Sequence, residues 1–252
     1  MAVFAHPDDE SIVAGGTLAR YAAAGWKTSL VCATRGEWGP ISDETLATYE
    51  DLGSVREREL NAACRVLGVD ELRFLDLEDG GVSAVFGADQ EERVLEKIVR
   101  AIRDRRPQTV ITFGPDGLYG HEDHLAIGRL ATSACSLSGD PAVFPQHLTE
   151  GLPAHAVSRL FYATVPRGFY SELVVALARS GHEAQLWGIP PEQFGIPGAE
   201  ITVRVDVSPF LDRKLEALRC HRTQLDADHV FSLLTRELAF EHFNCEFFRQ
   251  AF

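Results

Sequence analysis

Two short segments of this 252-residue chain concentrate the side chains that do hydrolytic chemistry. His6-Pro7-Asp8-Asp9-Glu10 sets an imidazole beside three carboxylates, and Gly120-His121-Glu122-Asp123-His124 carries two histidines three residues apart. Like charges packed so closely are costly unless a cation offsets them. His6, one aspartate and one or both of His121 and His124 supply the ligands that Zn²⁺ takes in hydrolytic sites, where three protein groups leave the fourth position to water. Consecutive residues leaving a strand point in different directions, so Asp8 and Asp9 should divide the work. One grips the ion while the other reaches its water as general base. The histidine left over, if protonated and held by Asp123, could stabilise an oxyanion. Such a set hydrolyses amides or esters.

These segments must be positioned by the elements around them. Short apolar runs at 2–5, 28–33, 72–75 and 109–113 alternate with helical patterns at 18–24, 55–67 and 94–103. This alternation predicts an α/β, Rossmann-like, mostly parallel sheet with helices on both faces. Gly25 and Gly68 fit the C-cap of the helical patterns they follow, and Pro107 closes the next. In such sheets ligands bind beyond the carboxyl ends of the strands, so segments 6–11, 34–40, 76–82 and 114–124 should meet on one rim. After about residue 138 the alternation weakens. A strand is expected at 160–164, and helices at 209–222 and from about 231 to 240. Two irregular stretches, at about 138–158 and 180–199, read as ordered excursions that wall a pocket within one domain spanning 1–252. Trp38 and Trp187 read as core or rim residues.

Composition narrows the partners. With 24 Lys+Arg against 37 Asp+Glu, the formal charge is −13, spread without a basic run. That argues against a nucleic-acid groove or an anionic membrane surface. Five cysteines, with no CxxC pair, fit free thiols in a reducing compartment. The first ten residues lack a cationic, apolar leader, and no apolar run approaches the roughly 18 residues of a membrane span. The expected setting is cytoplasmic and the expected partner a small molecule; a homo-oligomer is compatible with the sequence.

Ala5-His6-Pro7-Asp8-Asp9-Glu10, taken with Tyr119-Gly120-His121-Glu122-Asp123-His124, resembles the LmbE-like, or PIG-L-like, family of zinc-dependent N-deacetylases. The resemblance extends to 32–37, to Arg56-Glu57-Arg58-Glu59-Leu60, to Asp79-Gly80-Gly81 and to the 214–224 helix end. It implies hydrolysis of the acetamide of N-acetylglucosamine-type conjugates. His6, Asp9 and His124 would be zinc ligands, Asp8 the general base and later acid, His121 the oxyanion-stabilising group and Asp123 its partner. Arg56 and Asp79 would bond sugar hydroxyls, Tyr119 would be a mobile group near the reacting carbonyl, and Glu37 would contact substrate. For Arg56 an ion pair with Glu57 or Glu59 is an equal alternative, and Glu10 reads as a first-turn acid complementing its helix dipole.

Two features depart from the family pattern. Glu122 stands where relatives commonly carry proline, and its charge should raise the pKa of His121. Only Met1 to Ala5 precede His6, so the first strand should be trimmed. Fe²⁺ could replace Zn²⁺ on the same ligands. An amidase acting on a thiol-sugar conjugate, a metal-dependent phosphoesterase and a non-catalytic sugar-binding module are the competing readings.

Overall fold

The computed structural model describes residues 1–82 and 88–252. Its strands are β1 (Ala2–Phe4), β2 (Ser29–Cys32), β3 (Glu71–Phe74), β4 (Thr109–Phe113), β5 (Arg159–Thr164), β6 (Val203–Asp206) and β7 (Cys245–Gln250), in one sheet ordered β3-β2-β1-β4-β5-β7-β6. The first five run parallel, and β7 lies antiparallel between β5 and β6. The order reverses on either side of β1, which puts the ends of β1 and β4 side by side at the crevice where such folds bind ligands. β1 has three residues, all fully buried. As expected from the sequence it is short, but it occupies the middle of the sheet.

The helices are α1 (Asp9–Val13), α2 (Gly15–Ala23), α3 (Leu52–Leu67), α4 (Ala88–Arg105), α5 (Gly117–Gly120), α6 (Glu122–Leu137), α7 (Gln146–Thr149), α8 (Phe169–Arg179), α9 (Leu211–Cys220) and α10 (Arg236–Phe243). On one face α1, α2, α3 and α9 pack together; on the other α4 packs on α6. α3 ends at Gly68, whose φ of 77° is the left-handed cap glycine adopts without a Cβ clash. Gly128 lets α6 approach β4 so closely that a Cβ there would lie 2.5 Å from the Phe113 carbonyl oxygen. That approach stacks the His124 ring on Phe113, with centroids 3.9 Å apart and planes 4° from parallel.

Three expectations need correction. The last helix begins at Arg236 rather than near 231, because Thr235 caps it by accepting from the Leu238 amide. β6 and β7 were not expected; β7 shows the in-out burial alternation of a strand covered on one face. Segment 138–158 walls no pocket at the strand ends. Arg103, fully buried, instead draws it to the far end of α4, donating to the carbonyls of Ser138, Asp140, Val143 and Phe144. A buried guanidinium needs most of its donors satisfied, and this loop satisfies them.

Candidate active site

The chain leaves β1 into His6 and turns sharply at Asp8, which stands at φ 115°, a conformation that favours glycine and costs of order 1–3 kcal/mol elsewhere. The turn sends Asp8 and Asp9 different ways. Asp9 folds back, its Oδ2 accepting from the amides of His6 at 2.8 Å and Ala5 at 3.2 Å, so its other oxygen faces outward. The Asp8 side chain takes no hydrogen bond among the described residues and borders a cavity of about 420 Å³. Glu10 stands in the first turn of α1, as expected, but is buried. It accepts from Ser11 Oγ and the Asp8 amide, and its Oε1 lies 2.9 Å from His221 Nε2. Burial pushes the Glu10 carboxyl up, but the His221 charge and hydrogen bond outweigh it and the net shift is downward. Gln224 Nε2 donates to the Pro7 carbonyl at 2.6 Å, so segment 221–224 clamps the motif from behind.

Across the crevice, α5 and α6 deliver the histidines. His121 is the N-cap of α6, and its Nδ1 accepts from the Asp123 amide at 3.2 Å. In the neutral ring the proton therefore sits on Nε2. His124 Nδ1 donates to the Gly117 carbonyl at 3.1 Å, which leaves a lone pair on Nε2. His6 Nε2 is 3.2 Å from both Asp123 Oδ2 and Asp79 Oδ1, which places its proton there and leaves a lone pair on Nδ1.

Those lone pairs face each other. His6 Nδ1 and His124 Nε2 are 3.3 Å apart, and Asp9 Oδ1 is 3.3 Å from His124 Nε2. Donors bound tetrahedrally at about 2.0–2.1 Å from one ion would stand about 3.3–3.4 Å apart. His124 Nε2 stands at that spacing from both other groups, His6 Nδ1 lies 3.8 Å from the second Asp9 oxygen, and His121 lies close enough to His6 and His124 to join them; the donor set fits a divalent metal ion. Titration points the same way. Burial opposes the His6 cation, yet Asp123 and Asp79 outweigh it and push the ring up to about 10. Asp9 is pushed up to about 8, chiefly by burial, with Asp8 adding to the rise. The cluster is short of positive charge, which a proton or a metal can supply. Asp8 is pushed up to about 6, first by burial and then by Glu10, against the opposing charge of His221. A carboxyl near neutrality can both take and return a proton at physiological pH.

Several sequence expectations change. Asp123 is wholly buried and its carboxylate does not hold His121. It accepts from the amides of Gly80 and Val82 and meets His6, because the 79–82 turn lies between it and open solvent. The His121 pKa is lowered, not raised; burial dominates, the His6 charge adds to it, and Glu122 acts only weakly in the other direction. Glu122 lines a separate groove between α6 and β5. Glu37 does not border the cavity: its two oxygens accept from the amides of Arg35 and Asp79, tying the 34–40 loop to the 79–82 turn. Arg56 makes no ion pair with Glu57 or Glu59. It donates to the carbonyls of Gly36 and Pro40 and to Thr223 Oγ1, and one side of it meets the cavity. Asp79 and Tyr119 also border the cavity, as do Trp38 and Trp187. Tyr170, Phe194 and Gln224 line it too, unforeseen from the sequence because no local pattern relates α8 or the 190s to the strand ends. From the irregular stretches, Trp187, Ile189 and Phe194 reach the wall and nothing from 138–158 does.

Residues 1–135, which contain both motifs, match the family model described as GlcNAc-PI de-N-acetylase, PIG-L. Two deacetylases of 1D-myo-inositol 2-acetamido-2-deoxy-alpha-D-glucopyranoside are similar along almost the whole chain. That of Streptomyces avermitilis is 34% identical over 98% of this chain and 89% of its own length. That of Acidothermus cellulolyticus is 35% identical over 98% and 86%. Among solved structures, an N,N'-diacetylchitobiose deacetylase from Pyrococcus horikoshii superposes with a TM-score of 0.71 at 23% identity, covering 99% of this chain and 82% of that one. A 4-carboxy-2-hydroxymuconate hydratase from Pseudomonas putida reaches 0.69 at 19% identity, covering 100% and 95%. Likeness at that identity shows the shared fold and leaves the reaction to the site residues. The family match over more than half the chain and the full-length relatives together establish that this chain belongs to the GlcNAc-PI de-N-acetylase (PIG-L) family.

Proposed function

We propose that the protein is a cytoplasmic, Zn²⁺-dependent N-deacetylase of N-acetylglucosamine conjugates, with an inositol-linked sugar, the substrate named for its relatives, as the first candidate. The observation that carries this reading is the convergence of His6 Nδ1, His124 Nε2 and Asp9 Oδ1 beside an uncommitted Asp8 carboxylate at the cavity floor. His6, Asp9 and His124 would hold the ion, with Fe²⁺ an alternative on the same donors. When bound, the metal supplies Lewis acidity toward water and toward the acyl oxygen.

The protein groups do the rest. Asp8 takes the proton of the attacking water and returns it to the departing amine, which its near-neutral titration suits. His121, neutral and protonated on Nε2, donates to the oxygen that becomes negative as the carbonyl carbon turns tetrahedral. Asp123 and Asp79 fix the His6 ring so that Nδ1 is the nitrogen presented. Arg56 and Asp79 stand where they can meet sugar hydroxyls, and Tyr119 stands beside His121 and His124, with centroids 5.8 and 5.3 Å away. The phosphoesterase reading needs a second metal, yet both Asp123 oxygens are already engaged by backbone amides.

The test is acetate release from an N-acetylglucosamine conjugate by the zinc-loaded protein. Asp8→Ala should lower kcat by about 10²- to 10⁴-fold, the range of a lost general acid-base group. Equal rates for the two proteins would remove Asp8 from the mechanism, and no release by the parent protein would reject the activity.

A further inference from the structure

Among the cavity residues, Tyr170 has a hydroxyl with no hydrogen-bond partner among the described residues. It is the second residue of α8 and only 1% exposed, yet it borders the cavity. Its ring is fixed by aromatic neighbours, with Phe194 at 4.8 Å, Phe169 at 5.1 Å and Phe231 at 6.3 Å between centroids, all edge-on. Such contacts satisfy the ring and leave the hydroxyl to find its own partner. Among the described residues that hydroxyl has no hydrogen bond, and it is not among the sealed, partnerless polar atoms of the interior. A phenol so deeply buried and open only toward a cavity is a donor waiting for a ligand.

Its surroundings place it in the site. The Tyr170 and Tyr119 rings both pack on Phe194, so the two phenols share one wall, and Asp8 borders the same cavity.

We propose that Tyr170 is a substrate-binding residue whose hydroxyl donates a hydrogen bond to an oxygen of the amino-sugar substrate. This deepens the deacetylase reading and rests on it for the identity of the ligand. The contact exists before and after the amide is cut, so it is uniform binding and belongs in KM rather than kcat.

Tyr170→Phe tests it, because the variant keeps the ring and removes only the hydroxyl. A neutral hydrogen bond contributes about 0.5–1.5 kcal/mol, so KM for an N-acetylglucosamine conjugate should rise about three- to tenfold with kcat within twofold of the parent. Calorimetric affinity for the deacetylated product, the free glucosamine conjugate, should weaken by the same factor. Tm should not fall, since no protein partner is lost. Unchanged KM and product affinity would overturn the proposal, as would a fall in kcat at constant KM, which would move the hydroxyl to the reacting carbonyl. A fall in Tm matching the loss of affinity would make the residue structural. If the parent protein releases no acetate the deacetylase reading fails by itself, while product binding still reports on Tyr170.

Discussion

The two sides of the cavity are built on opposite principles. On the metal side, contributed by the loop after β1 and the start of α6, nearly every polar atom is tied: the Asp9 oxygen to two amides, His124 to Gly117, His6 to two carboxylates, Glu10 to His221. On the facing wall, contributed by α8 and the 187–194 segment, Tyr170 packs edge-on against Phe194, Trp187 and Ile189 line the same cavity, and the Tyr170 hydroxyl is untied. The difference teaches a division of labour. Chemistry at the metal side demands particular tautomers and lone-pair directions, which only directional hydrogen bonds can impose. Selection at the wall demands shape and a few donors left free for the ligand, which packed aromatics provide.

If that comparison is right, perturbing its hydrogen-bonded side should cost the fold most. Lys214 donates to the Ile12 carbonyl at the end of α1 and to Glu246 of β7, which in turn accepts from the amides of Gly16 and Thr17. All of these side-chain groups are buried. Lys214→Ala would leave the buried Glu246 carboxylate without its counter-ion, held only by the Gly16 and Thr17 amides, and removing one partner of a buried ion pair costs about 3–5 kcal/mol. Chemical denaturation should show that drop; a change under about 1 kcal/mol would mean that the α1 end is held by packing alone.

The aromatic side should answer instead to pH. His229 is buried against Trp187, with centroids 4.3 Å apart, and burial pushes its pKa down to about 4. Above about 6.5 the ring is neutral whether the chain is folded or not, and its contribution is fully present. As pH falls from about 6.5 towards 4, the unfolded chain binds a proton that the folded chain refuses, and stability drops by up to about 3 kcal/mol. Denaturation midpoints of the parent and His229→Phe, compared between pH 7 and 4.5, should show the parent falling relative to the variant on acidification. Parallel curves would show that His229 is not kept neutral.

The legibility of the molecule in its sequence follows the same division. The meeting of His6, Asp8, Asp9 and His124 on one rim could be read because they sit in compact motifs at strand ends, and the parallel alternation of β1 to β4 fixes which ends meet. What could not be read was who faces whom. Asp123 adjoins both histidines in the chain, yet its carboxylate meets His6, more than a hundred residues away, because the 79–82 turn orients it. Glu37 is near the site in sequence and in space, yet spends both oxygens on backbone amides. Tyr170 carries no local signal, since its role depends on where α8 lands rather than on its neighbours in the chain. The antiparallel β6 and β7 were missed because antiparallel strands in an irregular region lack the helical spacers that announce parallel ones.

The central claim is that His6, Asp9 and His124 form one metal site and that Asp8 stands beside it without holding the ion. Zinc content by elemental analysis, on proteins loaded with zinc and freed of excess, tests it directly. The account predicts about one ion per chain in the parent and in Asp8→Ala, and close to none in His124→Ala and Asp9→Ala, with all four proteins folded by circular dichroism. Full zinc occupancy in folded His124→Ala and Asp9→Ala, or none in the parent, would contradict it.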